Sequence, residues 1–425
     1  MKLFSKRGIF AFAIISWFLM WHLIDSFELT GLYPLSDLVN KVIFAFYVSF
    51  LLGAVSTVII NNGRKKNDFG LVQVSNFTKK YYDFIKVISA YFVIPMFLFF
   101  MCRGFYLLST KFTISQYRSD VFGLLTGTST LFFNSSLVTM IYTYLVLPYL
   151  FYVLFLGFAY SVRYRKFGLL FISVLLIIMD SLMMAGRFGF HYILFATFLI
   201  SLFRVNLHYF KISSQFIFAI IFIFFISTAS VYYISEGRAI KGQSKVGHLI
   251  EHFIIDYHTE SFHILDVELN KPDSLIYDHT FGLSSISAFE RYFLLVSNRM
   301  GLTSKNSEAD LIGGYLHDSR KIGVDSHGQP KFYNAFASSL FVFYRDGAFF
   351  GVLLGGIVFG FLVQYWSNIF NISVFSSSLM LTSLSYLGIY SLFQCVITGP
   401  MMISFSLCIF TLIVFKLKKL SMSPR

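Results

Sequence analysis

The stretch YNAFASSLFVFYRDGAFFG, residues 333–351, places Arg345 beside Asp346 within an otherwise apolar and aromatic run. Charges near hydrocarbon cost free energy, so ionisable residues retained there usually serve a site or a cavity. Asn334, Ser338 and Arg345 recur at i, i+4 and i+11, which predicts a polar stripe along one helix. Asp346 would then lie about 100° further around the helix axis, so we expect it to face a different partner. The alternative is that both charges only hold the end of a membrane span at the interface.

A second ionisable candidate is Arg187, in the stretch GRFGF at residues 186–190 and at the predicted outer end of a span. An arginine at that depth usually faces a cavity or a partner, and its guanidinium fork suits the paired oxygens of phosphate and diphosphate. Gly186 and Gly189 carry no side chain, which lets a helix or a ligand approach closely. The pattern favours an anion site over an interfacial arginine that snorkels to lipid phosphates.

The longest polar segment, residues 235–335, carries seven of the ten histidines together with arginines and many acidic residues. Loops of this length are usually functional, and Arg238, Arg291 and His317 are its candidate site residues. Residues 319–331 are polar and contain two glycines. They predict a flexible loop able to reach a bound ligand, although a simple solvated connector would have the same composition.

The same segment contains HLIEH, residues 248–252, which matches the H-x-x-E-H pattern of some zinc peptidases. Only three positions of that pattern are fixed, and no third ligand stands out downstream. The favoured interpretation is a helix, because apolar residues in 246–258, and again in 287–301, recur at helical spacing. Both helices are predicted to lie on the membrane surface, and neither a metal nor another cofactor is expected.

Membrane helices must position these residues, because 56% of the 425 residues are hydrophobic, 13% are charged and the mean hydropathy is +0.70. Apolar windows close to twenty residues long match the thickness of a bilayer, and their continuity excludes a barrel. The sequence predicts an all-α polytopic membrane protein with about ten transmembrane helices, at 8–27, 41–60, 87–108, 136–160, 168–185, 189–203, 213–234, 347–365, 378–397 and 401–416.

The net charge of +13 is concentrated in short segments between the apolar runs, as expected of cytoplasmic loops. The excess charge therefore reports topology, and nucleic acid is not an expected partner. Both termini are predicted to be cytoplasmic. Three regions follow: a bundle of about seven spans at 1–234, a large periplasmic loop with surface helices at 235–335, and about three spans at 336–425.

These features together resemble the bacterial O-antigen polymerase family, also called oligosaccharide repeat unit polymerases. The resemblance rests on ten or more spans, one large outer loop in the C-terminal half, and the two motifs at 186–190 and 333–351 that flank this loop. It implies that a growing glycan is transferred from undecaprenyl diphosphate to the next lipid-linked repeat unit. The reaction would occur at the periplasmic face of the inner membrane and without a metal.

The resemblance also implies roles for individual residues. Arg187 and Arg345 would bind the diphosphate, and Asn334 and Asp346 would shape or support the site. Asp346 is a catalytic candidate together with Arg345, and whether Asp346 acts as a general base or only as a helix-end anchor stays open. From their residue types and their place in the loop, and not from the resemblance, His317 is a further catalytic candidate and Arg238 and Arg291 are candidates for substrate binding. Besides the lipid-linked oligosaccharide and membrane lipids, a chain-length regulator and a flippase are candidate partners.

Three rival functions share some of these features. An O-antigen ligase has the same architecture, and the residues do not separate it from a polymerase. A lipid-linked oligosaccharide flippase would also need arginines in the membrane, but it usually has an internal repeat and short outer loops. A membrane acyltransferase would need a catalytic histidine paired with an acid, and His191 has no evident acidic partner in the sequence.

Overall fold

The computed structural model of the chain describes residues 8–61, 76–122, 129–186, 188–206, 255–324, 328–333, 337–370 and 374–421. The chain forms two compact units. The first comprises residues 1–68, 246–371 and 383–406, and the second comprises 69–245, 372–382 and 407–425. The first unit contains the motif at 333–351 and most of the predicted outer loop, and the second contains Arg187.

The described residues are mostly helical. The α-helices are α1 (Ile9–Asp25), α2 (Asp37–Asn61), α3 (Asn76–Ile88), α4 (Ile94–Thr110), α5 (Ile114–Phe122), α6 (Ser136–Ile141), α7 (Leu147–Tyr164), α8 (Gly168–Met183), α9 (Phe188–Asn206), α10 (Tyr257–Leu269), α11 (Leu283–Arg299), α12 (Glu308–Leu316), α13 (Ser339–Asn368), α14 (Val374–Tyr390) and α15 (Pro400–Ser421). One π-helical turn joins α3 to α4 and another joins α6 to α7. Two short strands, β1 (Arg320–Val324) and β2 (Pro330–Tyr333), pair antiparallel.

The coarser prediction, a mostly helical membrane protein, is confirmed. Five helical segments are long and apolar enough to cross a bilayer, at Asp37–Thr57, Phe77–Thr110, Ser136–Tyr164, Ser339–Asn368 and Pro400–Lys418. Four shorter apolar helices lie at Ile9–Asp25, Gly168–Met183, Gly189–Phe203 and Val374–Tyr390. These nine helices coincide with nine of the predicted spans, whereas the span predicted at 213–234 lies outside the described residues. The full count of ten crossings stays a prediction.

Within the first unit, α2 and α13 pack closely along stripes of small residues. A Cβ added at Gly360 would overlap the backbone carbonyl oxygen of Phe50, and one at Gly53 would overlap that of Ile357. Gly356 and Gly360 form a G-x-x-x-G pattern, which lets the backbones of membrane helices approach closely. The pair thus provides a rigid support for the residues at the start of α13.

The motif at 333–351 is not a single helix, so the predicted polar stripe is wrong. Strand β2 ends at Tyr333, and α13 begins only at Ser339, with an extended backbone at Ser338 (φ −67°, ψ 160°). A residue must be inside the helix to share a helical face. Asn334 lies outside the described residues.

A break divides α13 just after the Arg345–Asp346 pair. Gly347 and Ala348 both have non-helical backbone angles, and Ala348 has a positive φ of 50°. A positive φ strains a residue that carries a Cβ. The break therefore separates a short helical piece, 339–346, from a long helix that starts near residue 349, close to the predicted start of the span at 347.

Residues 319–331 were expected to be a flexible loop, and the structure corrects this expectation. Residues 320–324 and 330–333 form the antiparallel pair β1–β2, and the segment between α1 and α2 adds a bridge to the outer edge of β1. There the amide of Val324 donates to the Gly31 carbonyl at 2.8 Å, and the amide of Tyr33 donates to the Ile322 carbonyl at 3.0 Å. Backbone hydrogen bonds on both edges of β1 hold it in place.

Helix α10 is buried inside the first unit and does not lie on a surface. His263 contacts Asp25 of α1 at 2.6 Å, and the Ser261 hydroxyl donates to the Leu392 carbonyl at 2.5 Å. The predicted surface helix at 246–258 is thus wrong at its described end, because polar partners from other helices satisfy this segment. Residues 246–254 lie outside the described part. The helix predicted at 287–301 is confirmed as α11.

Candidate functional site

Arg345 is buried and joins α13 to the predicted outer loop, residues 235–335, which is called the extramembrane segment below; the structure describes its residues 255–324 and 328–333. Its side chain is 4% exposed, its Nε donates to the carboxylate of Glu308, and its Nη1 donates to the carbonyl of Leu275. The carboxylate of Asp278 lies 4.0 Å from Nη1 and is mostly exposed. Glu308 is the first residue of α12, so a charge-assisted bond fixes the start of α12 to the end of the short helical piece.

Asp346 points to a different helix. Its Oδ1 accepts hydrogen bonds from the hydroxyl of Thr280 at 2.7 Å and from the amides of Gly282 at 3.1 Å and Ser284 at 2.9 Å. Its Oδ2 accepts from the amide of Ser285 at 3.0 Å. These amides belong to the first turn of α11, so Asp346 caps that helix from outside, and its negative charge faces the positive end of the helix dipole.

The ion pair of Arg345 and the helix cap of Asp346 belong to one network, because the hydroxyl of Ser284 also donates to Glu308 at 3.1 Å. The backbone contributes as well: the amide of Thr280 donates to the carbonyl of Arg345 at 3.0 Å. In an unbroken helix that carbonyl would accept from the amide of residue 349. The break at Gly347 and Ala348 thus leaves an acceptor for the neighbouring segment.

Arg291 belongs to the same helix pair. It extends from α11 to Asp310 of α12 and makes an ion pair of 2.6 Å, in which the two side chains are 19% and 35% exposed. Arg291 is therefore more accessible than Arg345. A third carboxylate contact joins the same two helices, because the amide of Glu308 donates to Glu290 at 2.7 Å.

The structure brings together three of the predicted site residues, Arg345, Asp346 and Arg291. His317 is exposed and lies at the other end of α12, about 13 Å along the axis from Glu308 at 1.5 Å per residue. Arg187, Arg238 and Asn334 lie outside the described residues, as does the HLIEH sequence. Where the structure describes the chain, no three His, Cys, Asp or Glu side chains are grouped so that they could hold a metal.

Two buried ion pairs were not predicted. Lys331 donates to Asp256 at 3.0 Å, and Tyr333 donates to the same carboxylate at 2.9 Å. Arg320 donates to Glu268 at 2.7 Å, and Tyr315 donates to Glu268 at 2.6 Å.

The partners in both pairs are separated by fifty or more positions, so no local pattern shows them. The only sequence signal is the presence of acidic residues among the apolar residues of 255–269. These pairs fasten the strand pair to α10.

In the second unit, the described residues around Arg187 are held tightly. The hydroxyl of Tyr117 donates to the carbonyl of Met183 at 2.6 Å, and burial raises the pKa of Tyr117 above its ordinary value, so it remains a donor. A Cβ at Gly189 would overlap the hydroxyl of Ser181. This confirms that Gly189 permits a close helix approach.

Comparisons of the chain with known protein families, with curated proteins and with solved structures find no match. What the site does must therefore be argued from its residues.

Proposed function

We propose that this protein polymerises lipid-linked oligosaccharide repeat units at the periplasmic face of a bacterial inner membrane. The proposal rests on the resemblance of the motifs at 186–190 and 333–351. One observation carries it furthest: Arg345 and Asp346 each hold a different helix of the extramembrane segment against the start of a crossing helix. A reaction between two membrane-anchored substrates needs such a fixed surface beside the bilayer.

The proposed step is a glycosyl transfer. An acceptor hydroxyl of the incoming lipid-linked repeat unit attacks the anomeric carbon of the growing glycan. The new glycosidic bond forms as the bond from that carbon to the diphosphate oxygen breaks. The acceptor proton passes to a general base, and undecaprenyl diphosphate leaves. Neutralisation of the diphosphate charge by arginines lowers the barrier because the charge on the leaving oxygens increases in the transition state.

The geometry favours positioning roles for two of the catalytic candidates. Four hydrogen bonds already occupy the carboxylate of Asp346, so it is poorly placed to accept a proton from a hydroxyl. The guanidinium of Arg345 is engaged by Glu308 and is almost fully buried. We therefore assign both residues to positioning the extramembrane segment.

Diphosphate binding then falls to other arginines of the proposal. Arg187 remains the first candidate, with Asn334 and Arg238 as further substrate-binding candidates. Among the described residues, Arg291 fits best because its ion pair with Asp310 is partly exposed. An exposed pair is weak, so an incoming diphosphate can displace the aspartate. Replacement of Arg187 by alanine should abolish long chains without loss of protein, and unchanged chain lengths would refute its assignment.

Deletion of the gene tests the proposed reaction directly. A polymerase mutant should retain lipid A that carries a single repeat unit, which is seen as one short band on a lipopolysaccharide gel. Complementation with the intact gene should restore long chains. Loss of all attached glycan would instead favour a ligase or a flippase. Accumulation of lipid-linked repeat units on the periplasmic leaflet of the inner membrane would point to the ligase. Their accumulation on its cytoplasmic leaflet would point to the flippase.

A further inference from the structure

Helix α11 carries an apolar stripe that nothing else in the described structure covers. Five large apolar side chains recur at spacings of three and four residues and are between 40% and 72% exposed: Ile286, Phe289, Phe293, Val296 and Met300. Such a spacing places them along one side of the helix over about four turns. We call this set the apolar stripe.

The side of α11 that packs against the protein is built from small residues. Ser284, Ser287, Ala288 and Ser297 are all buried, and the hydroxyl of Ser287 donates to the carbonyl of Ser284 at 2.7 Å. Small side chains let the helix pack closely against its neighbours. The helix is thus fixed in rotation, with the apolar stripe outward.

Two contacts set the height of α11 relative to the crossing helices. Its first turn is capped by Asp346, which directly precedes the break where the crossing part of α13 starts. Further along, α11 packs on Val396–Thr398, the short turn between the apolar helices α14 and α15. Both contacts are at the ends of apolar helices, where hydrocarbon gives way to head groups.

The long part of α13 after the break indicates that lipid covers exposed apolar side chains at this level. Just after the break it exposes Phe350, Leu354 and Val358, with Phe350 71% exposed, and this segment is one of those long and apolar enough to cross a bilayer. Lipid covers these side chains where the helix crosses the bilayer, because exposure of apolar surface to water costs free energy. Since α11 packs on α13, the exposed apolar stripe belongs to a helix that lies next to this lipid-covered one.

We propose that α11 lies in the membrane–water interface, with the apolar stripe among the acyl chains and Asp346 fixing its position. Periodicity alone predicted a surface helix. The structure adds which side of α11 faces lipid, its depth relative to the crossing helices, and Asp346 as the residue that holds it there. This inference is independent of the reaction proposed above. In this placement the extramembrane segment contacts lipid through α11.

Spin labelling of the full-length protein in lipid nanodiscs tests this inference. A Phe293→Cys variant is made in a Cys102→Ser background, because Cys102 is an exposed native cysteine. The matched control is Asp273→Cys, whose side chain is 81% exposed and belongs to the turn after α10. Unsubstituted background protein corrects for labelling of the two other cysteines.

We expect the label at 293 to be accessible to oxygen and shielded from a water-soluble nickel chelate, at a depth of about 5–10 Å below the head groups. The label at 273 should show the opposite preference. Labels at 289 and 296 should follow 293, so one poorly folded variant does not decide the result. Equal nickel accessibility at 293 and 273 would overturn the proposal. So would an immobile label shielded from both reagents, because a protein surface, such as a second copy, would then cover the stripe.

A measurement without substitutions uses hydroxyl-radical footprinting of the intact protein in the same nanodiscs. Met300 belongs to the apolar stripe, and Tyr33 is an exposed residue of the segment between α1 and α2. After correction for intrinsic reactivity, Met300 should be modified less than Tyr33 because lipid shields it. Equal modification would contradict the placement of α11 in lipid.

Discussion

The ion pair between Arg345 and Glu308 gives the sharpest prediction. Both side chains are nearly buried, at 4% and 10% exposure. Replacement of Arg345 by methionine leaves the carboxylate of Glu308 with the hydroxyl of Ser284 as a remaining donor. Removal of one partner of a buried pair lowers the free energy of unfolding by about 3–5 kcal/mol. We expect a value in the lower part of that range, since Ser284 remains.

The assay is a double-mutant cycle on thermal unfolding in nanodiscs. It compares Arg345→Met, Glu308→Met and the variant that carries both changes. The single variants should unfold at clearly lower temperatures, and the double variant should recover much of the loss, because no unpaired charge remains buried. Arg291→Met serves as the control: it breaks a more exposed pair and should change the unfolding temperature much less.

Glycan chain length is measured in the four proteins of the cycle: the unmodified protein, Arg345→Met, Glu308→Met and the double variant. It separates a positioning role of Arg345 from direct binding of the substrate. If Arg345 only positions the extramembrane segment, the double variant should regain long chains together with stability. A stable double variant that makes only single repeat units would show that the guanidinium itself contacts the substrate. An Arg345→Met protein that unfolds at the same temperature as the unmodified one would refute the ion-pair reasoning.

Three further predictions follow from other contacts. Asp346→Asn keeps the Oδ1 acceptor for Thr280, Gly282 and Ser284 but sets an NH2 group against the Ser285 amide, so it should unfold at a somewhat lower temperature and still make long chains. Asp346→Ala removes all four acceptor contacts and should lower the free energy of unfolding by about 1–2 kcal/mol; a folded but inactive Asp346→Asn would restore the general-base hypothesis. Gly360→Ala should destabilise the packed helix pair by about 1–3 kcal/mol, measured by thermal unfolding, whereas Gly314→Ala has open space around it and should be tolerated. Lys331→Met should remove the ammonium group from the buried carboxylate of Asp256, with Tyr333 as a remaining donor, and should lower the unfolding temperature strongly. Equal effects of Lys331→Met and of Lys271→Met, which breaks an exposed pair, would contradict this.

Much of the architecture could be predicted from the sequence. Long apolar windows specify helices in a bilayer without reference to distant residues, because each such helix satisfies its own backbone hydrogen bonds. Nine predicted spans accordingly coincide with helices. The α-helical geometry also made it possible to predict that Arg345 and Asp346, as neighbours, would face different partners.

The partners themselves could not be predicted. Glu308 lies 37 positions before Arg345, and Asp346 caps a helix that begins more than sixty positions earlier. Nothing in a local pattern shows which distant carboxylate or amide will meet a given charge, since packing of the whole unit decides this. The predicted helical stripe failed for the same reason: residues 330–333 pair with β1, and α13 begins only at Ser339, after an extended backbone at Ser338.

The amino-acid sequence thus sufficed to predict a helical membrane protein, to locate charges where a long polar segment meets an apolar helix, and to identify the amphipathic elements. The burial of Arg345 in an ion pair, the capping of a helix by Asp346 and the pairing of residues 320–324 with 330–333 became visible only in the folded chain. The two sets of features differ in how far along the chain their causes lie. Burial of an apolar run is a property of the run, whereas the role of a charge depends on the group that the fold places against it.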